Sequence, residues 1–239
     1  MRPTRRSPPR VIARRRSSAG VVLAGAAPGR WGRAASVYPF RPAPPEASGL
    51  PIVLGPDLAG PRLRLRAPRP GDFGPFSRWY ADPDIVRFWW MGDVPWARQP
   101  RIASLRLFLG AWFNRDAVVW TIETDGKPIG HCHIRQIDRL DGHAHTALLI
   151  GEHSAQRKGF ASEAIALRSE YAFRRLGLHK LTSSTRADNV AGRRMLERAG
   201  YRLVGTAREE TYVEGQRRDV LLFELLRSDH DQRRDTGPA

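Results

Sequence analysis

Three consecutive strand patterns, joined by two tight-turn signals, lie in the middle of this 239-residue chain and constrain its fold more than any other feature. The apolar stretch 117–122 predicts the first strand. An Asp-Gly pair at 125–126 is a strong signal for a two-residue hairpin turn, so 128–137 is the expected antiparallel partner. A second Asp-Gly pair at 141–142 places the third strand at 144–151. The sequence therefore predicts an antiparallel meander at the centre of a sheet.

Other helical and strand patterns flank this meander without a regular alternation. Before it, an alternating strand at 62–66 precedes helical patterns between 70 and 113. After it come a helix at 159–176, a strand at 181–185, a short helix at 190–199 and a hairpin over 201–226. This order predicts an α+β sheet covered by helices and excludes a Rossmann alternation.

The positive charge of the chain is concentrated at its amino terminus. The formal charge is +16, and residues 1–45 hold ten arginines but no Lys, Asp or Glu. A high pI is typical of nucleic-acid binders, but most of that signal belongs to this tail. A single cysteine, Cys132, excludes an internal disulfide framework and a CxxC zinc or redox site. The chain contains no run of about 18 apolar residues, so the sequence predicts no membrane-spanning helix.

Residues 1–58 are rich in Arg, Pro, Ala and Gly and lack sustained periodicity. We predict a disordered extension, or a start codon assigned too far upstream. The alternatives are a targeting peptide, since the arginines 14–16 precede a short apolar stretch, and an arm that binds nucleic acid or the ribosome. The expected organisation is this extension, one folded domain over 59–228, and a disordered tail over 229–239.

A basic segment with a central glycine, 156–161, joins the third meander strand to the following helix. Backbone N–H groups at a helix N-terminus are unpaired and the helix dipole is positive there, so a pyrophosphate fits such a place. Gly159 permits close backbone approach, Ala161 avoids a side-chain clash, and Arg157 and Lys158 add charge. An ordinary basic helix cap is the alternative, and the spacing does not match a Walker A loop.

Several motifs in the right order resemble the GNAT superfamily of acyl-CoA-dependent N-acyltransferases, over roughly residues 62–228. The segment 156–161 is similar to the Q/R-x-x-G-x-G/A acetyl-CoA signature, and 158–164 resembles the RimJ/RimL branch. The segment 189–201 resembles that branch's N-x-x-S-x-x-x-x-E-K-x-G-F/Y pattern. The opening and closing segments of the branch are matched by 63–66, 82–86 and 210–220.

This resemblance implies the GNAT fold, a mixed and mostly antiparallel sheet with a splayed central strand pair and helices on both faces. It also implies acetyl-CoA as co-substrate and a catalytic contact from Asn189 to pantetheine or the amine. The residues implied to hold the coenzyme are Leu148, Leu149, Ile150, Gln156, Arg157, Lys158, Gly159, Phe160, Ala161, Asn189 and Arg194.

Three departures from the family pattern leave the acid and the base open. Many members place a Tyr seven residues after the Asn, where this chain has Leu196, and the branch often has a Ser at the position of Gly192. The usual Glu base is missing from the strand before the loop. His145 is the candidate base, since imidazole titrates near neutrality, and Glu152 is the nearest acid.

The histidines and tryptophans each admit two interpretations. His131, His133, His143 and His145 alternate on two strands, and a suitable register would group them as metal ligands. Exposed or core histidines are the alternative, and we predict no metal site. The tryptophans form either core or an aromatic wall for an acceptor; they are Trp79, Trp89, Trp90, Trp96, Trp112 and Trp120.

The sequence therefore predicts an N-acetyltransferase that moves an acetyl group from acetyl-CoA to a primary amine by direct transfer. The acceptor would be a protein N-terminus or a small amine. The alternatives are an aminoglycoside- or siderophore-type N-acyltransferase, a non-catalytic acyl-CoA-binding module, and a nucleic-acid binder led by the arginine-rich tail. We expect a cytoplasmic monomer or homodimer without a membrane partner.

Overall fold

A computed structural model describes residues 55–89, 99–113 and 116–235 of the chain, with the backbone alone at 100, 108–113 and 235. Within these ranges the strands form one mixed eight-stranded sheet with helices on both faces, which confirms the α+β prediction. Most of the predicted 1–58 extension lies outside the described residues, as do Trp90 and Trp96 and the side chain of Trp112.

Apart from β1 and α6, which the sequence patterns did not predict, the helices and strands agree with those patterns to within a few residues. In chain order they are β1 (Leu58–Ala59), β2 (Arg64–Arg66), a 3-10 turn (Pro70–Asp72), α1 (Phe73–Ala81), α2 (Pro83–Val86), α3 (Pro100–Phe113), β3 (Ala117–Thr124), β4 (Lys127–Asp138), β5 (His143–Ile150), a 3-10 turn (His153–Ala155), α4 (Phe160–Arg174), β6 (Lys180–Arg186), α5 (Val190–Arg198), β7 (Arg202–Val213), β8 (Gln216–Leu226) and α6 (Arg227–Asp235).

The strands lie in the order β1-β2-β3-β4-β5-β6-β8-β7. The pair β5 and β6 is parallel, and all other neighbours in this order are antiparallel. The central hairpin closes as predicted, because Asp125 and Gly126 have φ values of 50° and 73°. Two successive positive φ angles match a type I′ turn, whose twist suits antiparallel strands.

Apolar side chains pack on both faces of the sheet. The larger core includes Cys132, Ile134, Ile165 and Phe173, and lies between the sheet and α4. The smaller core lies on the opposite face under α1 and α3 and contains Phe76, Trp79, Tyr80, Ile85, Ala103 and Leu149. The sheet is thus buried on both sides near its centre. No helix in the part of the chain that the structure describes is long and apolar enough to cross a membrane.

A buried ion cluster fixes the start of α1 against the sheet. The Arg66 guanidinium donates to both carboxylate oxygens of Asp72, at 2.7 and 2.8 Å, and also to Glu123. Thr121 and the backbone amide of Arg69 donate to Asp72 as well, each at 2.8 Å. Burial acts to raise the pKa of Asp72, but these hydrogen bonds, led by Arg66, lower it below its ordinary value of 3.8.

The carboxyl-terminal prediction is wrong for residues 229–235, which lie in α6 rather than in a disordered tail. Ion pairs hold this helix against α4, with Arg174 to Asp231 at 2.8 Å and Arg234 to Glu170 at 2.7 Å. His230 packs on the Phe173 ring at a centroid distance of 5.1 Å. This segment has too few apolar residues to show a helical periodicity in the sequence. The residues that hold it are distant in sequence, so the local pattern did not predict the helix.

We predict that Asp72→Asn lowers the free energy of unfolding at pH 7 by about 3 kcal/mol, because it leaves a buried guanidinium short of a partner. Because the folded-state pKa is lowered, this stabilisation is present above pH 3.8 and is lost as the pH falls below it. Urea unfolding measures both effects. Asp57→Asn is the control, since Asp57 meets Arg64 at 3.7 Å on the surface and should cost under about 1 kcal/mol. Equal losses in the two variants would contradict the prediction.

Candidate active site

The parallel strands β5 and β6 pair over only three residues and then separate. The paired residues are His143–His145 with Lys180–Thr182. Beyond them β5 continues to Ile150 along β4, and β6 continues to Arg186 along β8. The two strands thus leave a cleft between them in the middle of the sheet, which we call the strand cleft. The predicted coenzyme residues Leu148, Leu149 and Ile150 form its β5 side.

A buried arginine and a buried tyrosine fill the base of the strand cleft. Arg168 of α4 is 1% exposed and donates from Nη1 to the Ala147 carbonyl at 2.8 Å. Its Nη2 lies 3.4 Å from the hydroxyl of Tyr201, which in turn lies 3.0 Å from Thr146 Oγ1. The Nε atom of Arg168 has no hydrogen-bond partner among the residues that the structure describes. A fixed positive charge therefore lies directly beneath the cleft.

Beside the strand cleft, α4 begins at Gly159 with no side-chain cap. Gly159 has φ of 83°, a conformation that L side chains adopt rarely, so the glycine is required for the entry into the helix. Arg157 also has a positive φ, 60°, so two of the three residues before α4 have left-handed backbone conformations. The first N–H groups of α4 lack intrahelical acceptors and face an exposed loop with two cations, Arg157 and Lys158.

Sequence reasoning missed the residue that holds this loop. Arg62 donates from its backbone amide and from Nε to Glu163, both at 2.9 Å, and from Nη1 to the Lys158 carbonyl at 2.9 Å. Its guanidinium also lies 5.1 Å from the centre of the Phe160 ring. Glu163, an acid in the first turn of α4, is thereby neutralised. Because Glu163 lies 101 residues from Arg62 in the sequence, no local sequence pattern indicates that the two residues pair.

A groove of about 440 Å³ runs along α4 between α5 and α6. It starts at Ser162 in the first turn of α4, and three arginines, Arg198, Arg233 and Arg234, line it. Arg194, which the resemblance places at the coenzyme, is exposed on α5. Glu170 also lines the groove and pairs with Arg234 at 2.7 Å, so Arg198 and Arg233 supply its excess positive charge. Such an excess suits a phosphate-bearing ligand.

The structure gives Asn189 a capping role in α5. Its Oδ1 accepts from the Gly192 amide at 2.9 Å, and its Nδ2 donates to Thr185 Oγ1 at 2.9 Å. A Cβ atom at Gly192 would lie 2.4 Å from Asn189 Nδ2, so this cap and a serine at 192 are incompatible without rearrangement. Leu196 is buried in the larger core and offers no hydroxyl. The predicted contact of Asn189 with a substrate stays a prediction.

On the face of the sheet under α1, two histidines are buried among aromatic rings. His131 Nε2 lies 2.8 Å from the hydroxyl of Tyr80, and the Trp89 ring lies edge-on to His131 at 4.8 Å. Trp89 also contacts His133 at 5.7 Å between ring centroids. Burial lowers the pKa of His131 to about 3, so the imidazole is neutral at physiological pH. Trp79 and Trp120 are core residues.

His145 lies on the same face, directly opposite Arg135 in the β4–β5 register. Arg135 Nε donates to His145 Nδ1 at 3.3 Å, which places the remaining ring proton on Nε2. Burial, with a smaller contribution from the charges of Arg135 and Arg168, lowers the pKa of His145 to about 3. In this arrangement Nδ1 of His145 accepts from Arg135 and burial weakens the imidazole as a base. The role of His145 as a general base stays a prediction.

The hypothesis of a four-histidine metal site is wrong. In the β4–β5 register His131 lies opposite Leu149 and His133 opposite Ala147, so the two histidine pairs are displaced along the strands. Among the described residues, the group that approaches metal-ligand spacing is Asp138, Asp141 and His143. The carboxylate of Asp138 accepts the backbone amides of Leu140 and Asp141, at 2.9 Å each, so the group is explained as a turn.

The fold and the loop at Gly159 define an acyltransferase of the GNAT type. Residues 62–202 match the family model of the acetyltransferase (GNAT) domain. This match covers more than half of the chain, so the chain belongs to the GNAT acetyltransferases and is an N-acyltransferase, as the motifs predicted.

Individual relatives agree with this assignment. The chain is 27% identical to the uncharacterized N-acetyltransferase p20 of Bacillus licheniformis over 172 residues, 71% of this chain and 95% of p20. A spermidine N-acetyltransferase from Vibrio cholerae, solved with CoA and spermine, shares the fold with a TM-score of 0.63 at 22% identity, over 72% of this chain and 99% of that one. RimJ from Mycobacterium smegmatis, solved with CoA-disulfide, has a TM-score of 0.61 at 21% identity, over 74% of this chain and 90% of that one.

We predict that the buried histidines make stability depend on pH well above the range in which Asp72 titrates. The unfolded chain takes up protons below about pH 6.5, whereas His131 and His145 stay neutral in the folded state down to about pH 3. Stability should therefore fall as the pH drops from 6.5 toward 3. Urea midpoints between pH 7.5 and 5 measure this slope, which His145→Gln should reduce. Imidazole NMR signals of His131 and His145 that titrate near pH 6.5 would contradict the prediction.

Proposed function

We propose that this protein transfers the acetyl group of acetyl-CoA to a primary amine, with the thioester in the strand cleft. The observation that carries the proposal is the placement of an uncapped helix N-terminus at the mouth of a gap between two parallel strands. The connecting loop touches the β5 end, since Gln156 Nε2 lies 3.4 Å from the Ile150 carbonyl. A long ligand with a phosphate at one end and an acyl thioester at the other fits this layout.

The residues that we expect to hold the coenzyme are those of the loop and of its surroundings. The amides that open α4 would bind the pyrophosphate, with Arg157 and Lys158 nearby. The groove lined by Arg198, Arg233 and Arg234 would take the remaining phosphate-bearing part. The backbone of Leu148–Ile150, on the β5 side of the cleft, would bind the pantetheine amides.

The proposed chemistry is a direct acyl transfer. The neutral amine nitrogen bonds to the thioester carbon, the C–S bond breaks, the thiolate leaves with the bonding pair, and the ammonium proton passes to solvent. A backbone N–H of β5 would stabilise the oxyanion, an effect worth roughly 3–4 kcal/mol in other enzymes. Arg168 lies beneath the cleft and favours negative charge on the oxyanion and on the thiolate, so no hydroxyl is needed at Gly192 or Leu196.

The acceptor is proposed to be a small amine or a protein N-terminus, and an antibiotic or siderophore amine is the runner-up. Incubation with acetyl-CoA and an amine panel, with thiol release as the readout, tests the proposal. We expect release that depends on one class of amine. Tight acetyl-CoA binding without release on any amine would instead favour a non-catalytic binding module.

We predict that Gly159→Asp weakens acetyl-CoA binding at least tenfold, because it places a carboxylate where the pyrophosphate would lie, at about 1.4 kcal/mol per factor of ten. Gly177→Asp is the matched control. Gly177 lies past the opposite end of α4, and its φ of 70° is close to the 83° of Gly159, so the backbone cost is similar. An added Cβ at 177 meets no atom within 4 Å, whereas one at 159 lies 3.2 Å from Arg62 Nη2. Calorimetric titration with acetyl-CoA gives both dissociation constants. Equal binding by the two variants would refute the assignment of the loop.

A further inference from the structure

We propose that the acceptor amine carries a carboxylate a few bonds from its nitrogen, and that Arg135 binds this carboxylate. Arg135 lies beside the closed end of the strand cleft, and no carboxylate in the described part of the chain pairs with it. This inference rests on the proposed function and adds the acceptor class. The ligand chemistry is shared by a free amino acid and by a peptide whose first residue is acidic.

Arg135 lies beside the closed end of the strand cleft. It is opposite His145, the last β5 residue that pairs with β6. Ala147, which borders the open part of the cleft, is two residues further along β5 on the same face. Side chains two residues apart on a strand are separated by about 6.7 Å. An arginine side chain spans that distance, so a group bound by Arg135 lies within a few bonds of an amine in the cleft.

The guanidinium of Arg135 is available for a ligand. Its hydrogen bond to another described side chain is the one from Nε to His145, and no described carboxylate forms an ion pair with it. Arg135 is exposed, yet desolvation by the surrounding protein lowers its pKa. The two free nitrogens present the fork that matches a carboxylate.

Other arginines near the sheet already have carboxylate partners. Arg66 is paired with Asp72 and Glu123, and Arg62 with Glu163. Arg186, which reaches the same face from β6, is bidentate to Asp188 at 2.9 and 2.6 Å. Arg135 differs from these because no carboxylate of the described residues pairs with it, although it lies beside the closed end of the strand cleft.

His133, which shares a face of β4 with Arg135, has no carboxylate acting on it. Its pKa is lowered first by burial and then by the charge of Arg135, with smaller contributions from other basic groups that include Arg168. The acids that follow β5 and β6 are engaged elsewhere, Glu152 with the Trp79 indole at 2.9 Å and Asp188 with Arg186. Such a positive surface attracts an anionic acceptor and disfavours a polycation such as spermidine.

The experiment compares matched amines that differ in one carboxylate. The first arm sets tryptophan against tryptamine and ornithine against putrescine, and a second arm sets C-terminally amidated peptides that begin with Asp against peptides that begin with Asn. Thiol release from acetyl-CoA is the readout. In one arm, we expect kcat/KM to be ten- to a hundredfold higher for the amine with the carboxylate than for its partner without it. This is the size of effect that hydrogen bonds to a charged group produce. The arm that shows it identifies free amino acids or acidic N-termini as the source.

Variants separate Arg135 from a general charge effect. Arg135→Gln should raise KM for the carboxylate substrate more than it lowers kcat, and so remove the preference, whereas Arg135→Lys should restore part of it. Arg139→Gln is the control, an exposed arginine in the turn after β4, and should keep the preference. Acetyl-CoA binding and thermal midpoints check that each variant is folded.

The outcomes distinguish the two levels of the proposal. If no amine in the panel gives thiol release, both the proposed function and this inference are overturned. Equal rates for both members of every pair, or a preference that survives Arg135→Gln, would overturn the inference alone and leave the acetyltransferase assignment standing.

Discussion

The early end of pairing between β5 and β6 is the constraint on which the site depends. Backbone groups past His145 and Thr182 lose their ladder partners and must be satisfied otherwise. Side chains do part of this, because Ser183 donates to the Thr146 carbonyl at 3.0 Å and Arg168 to the Ala147 carbonyl at 2.8 Å. Burying a guanidinium costs free energy unless it is hydrogen-bonded. Arg168 therefore stabilises the separated strands and also provides the positive charge that the proposed chemistry uses.

The arrangement of charge links both substrates to one mechanism. Cations near Gly159 suit an anionic coenzyme, and Arg135 adds positive charge on the face of the sheet under α1. The same positive field that helps to lower the pKa of His145 would lower that of an ammonium group bound beside it. A larger fraction of the acceptor would then be the neutral amine that attacks the thioester. On the proposed mechanism, the positive charge at the acceptor side would contribute to deprotonating the amine, whether or not His145 acts as a base.

Local patterns predicted most of the fold, and contacts distant in sequence decided the rest. The meander, the Asp125-Gly126 turn and the helix start at Gly159 follow from dihedral preferences that neighbouring residues determine. Arg168 could have been noticed, since it lies between Ala164 and Ala172 on the buried face of α4, where a charge needs a reason. The roles of Arg62 and α6 depend on partners far along the chain, which no local sequence pattern reveals. The separation of the histidines depends on the exact β4–β5 register, which the sequence did not determine either.

The central claim is that acyl transfer occurs in the strand cleft above Arg168. A crystal structure of the protein with acetyl-CoA tests it most directly. The account predicts the pyrophosphate on the amides that follow Gly159, the pantetheine along Leu148–Ile150, and the thioester on the cleft side of Ala147 within reach of the face that carries Arg135. A coenzyme bound elsewhere, or a thioester that points away from the gap between β5 and β6, would contradict it.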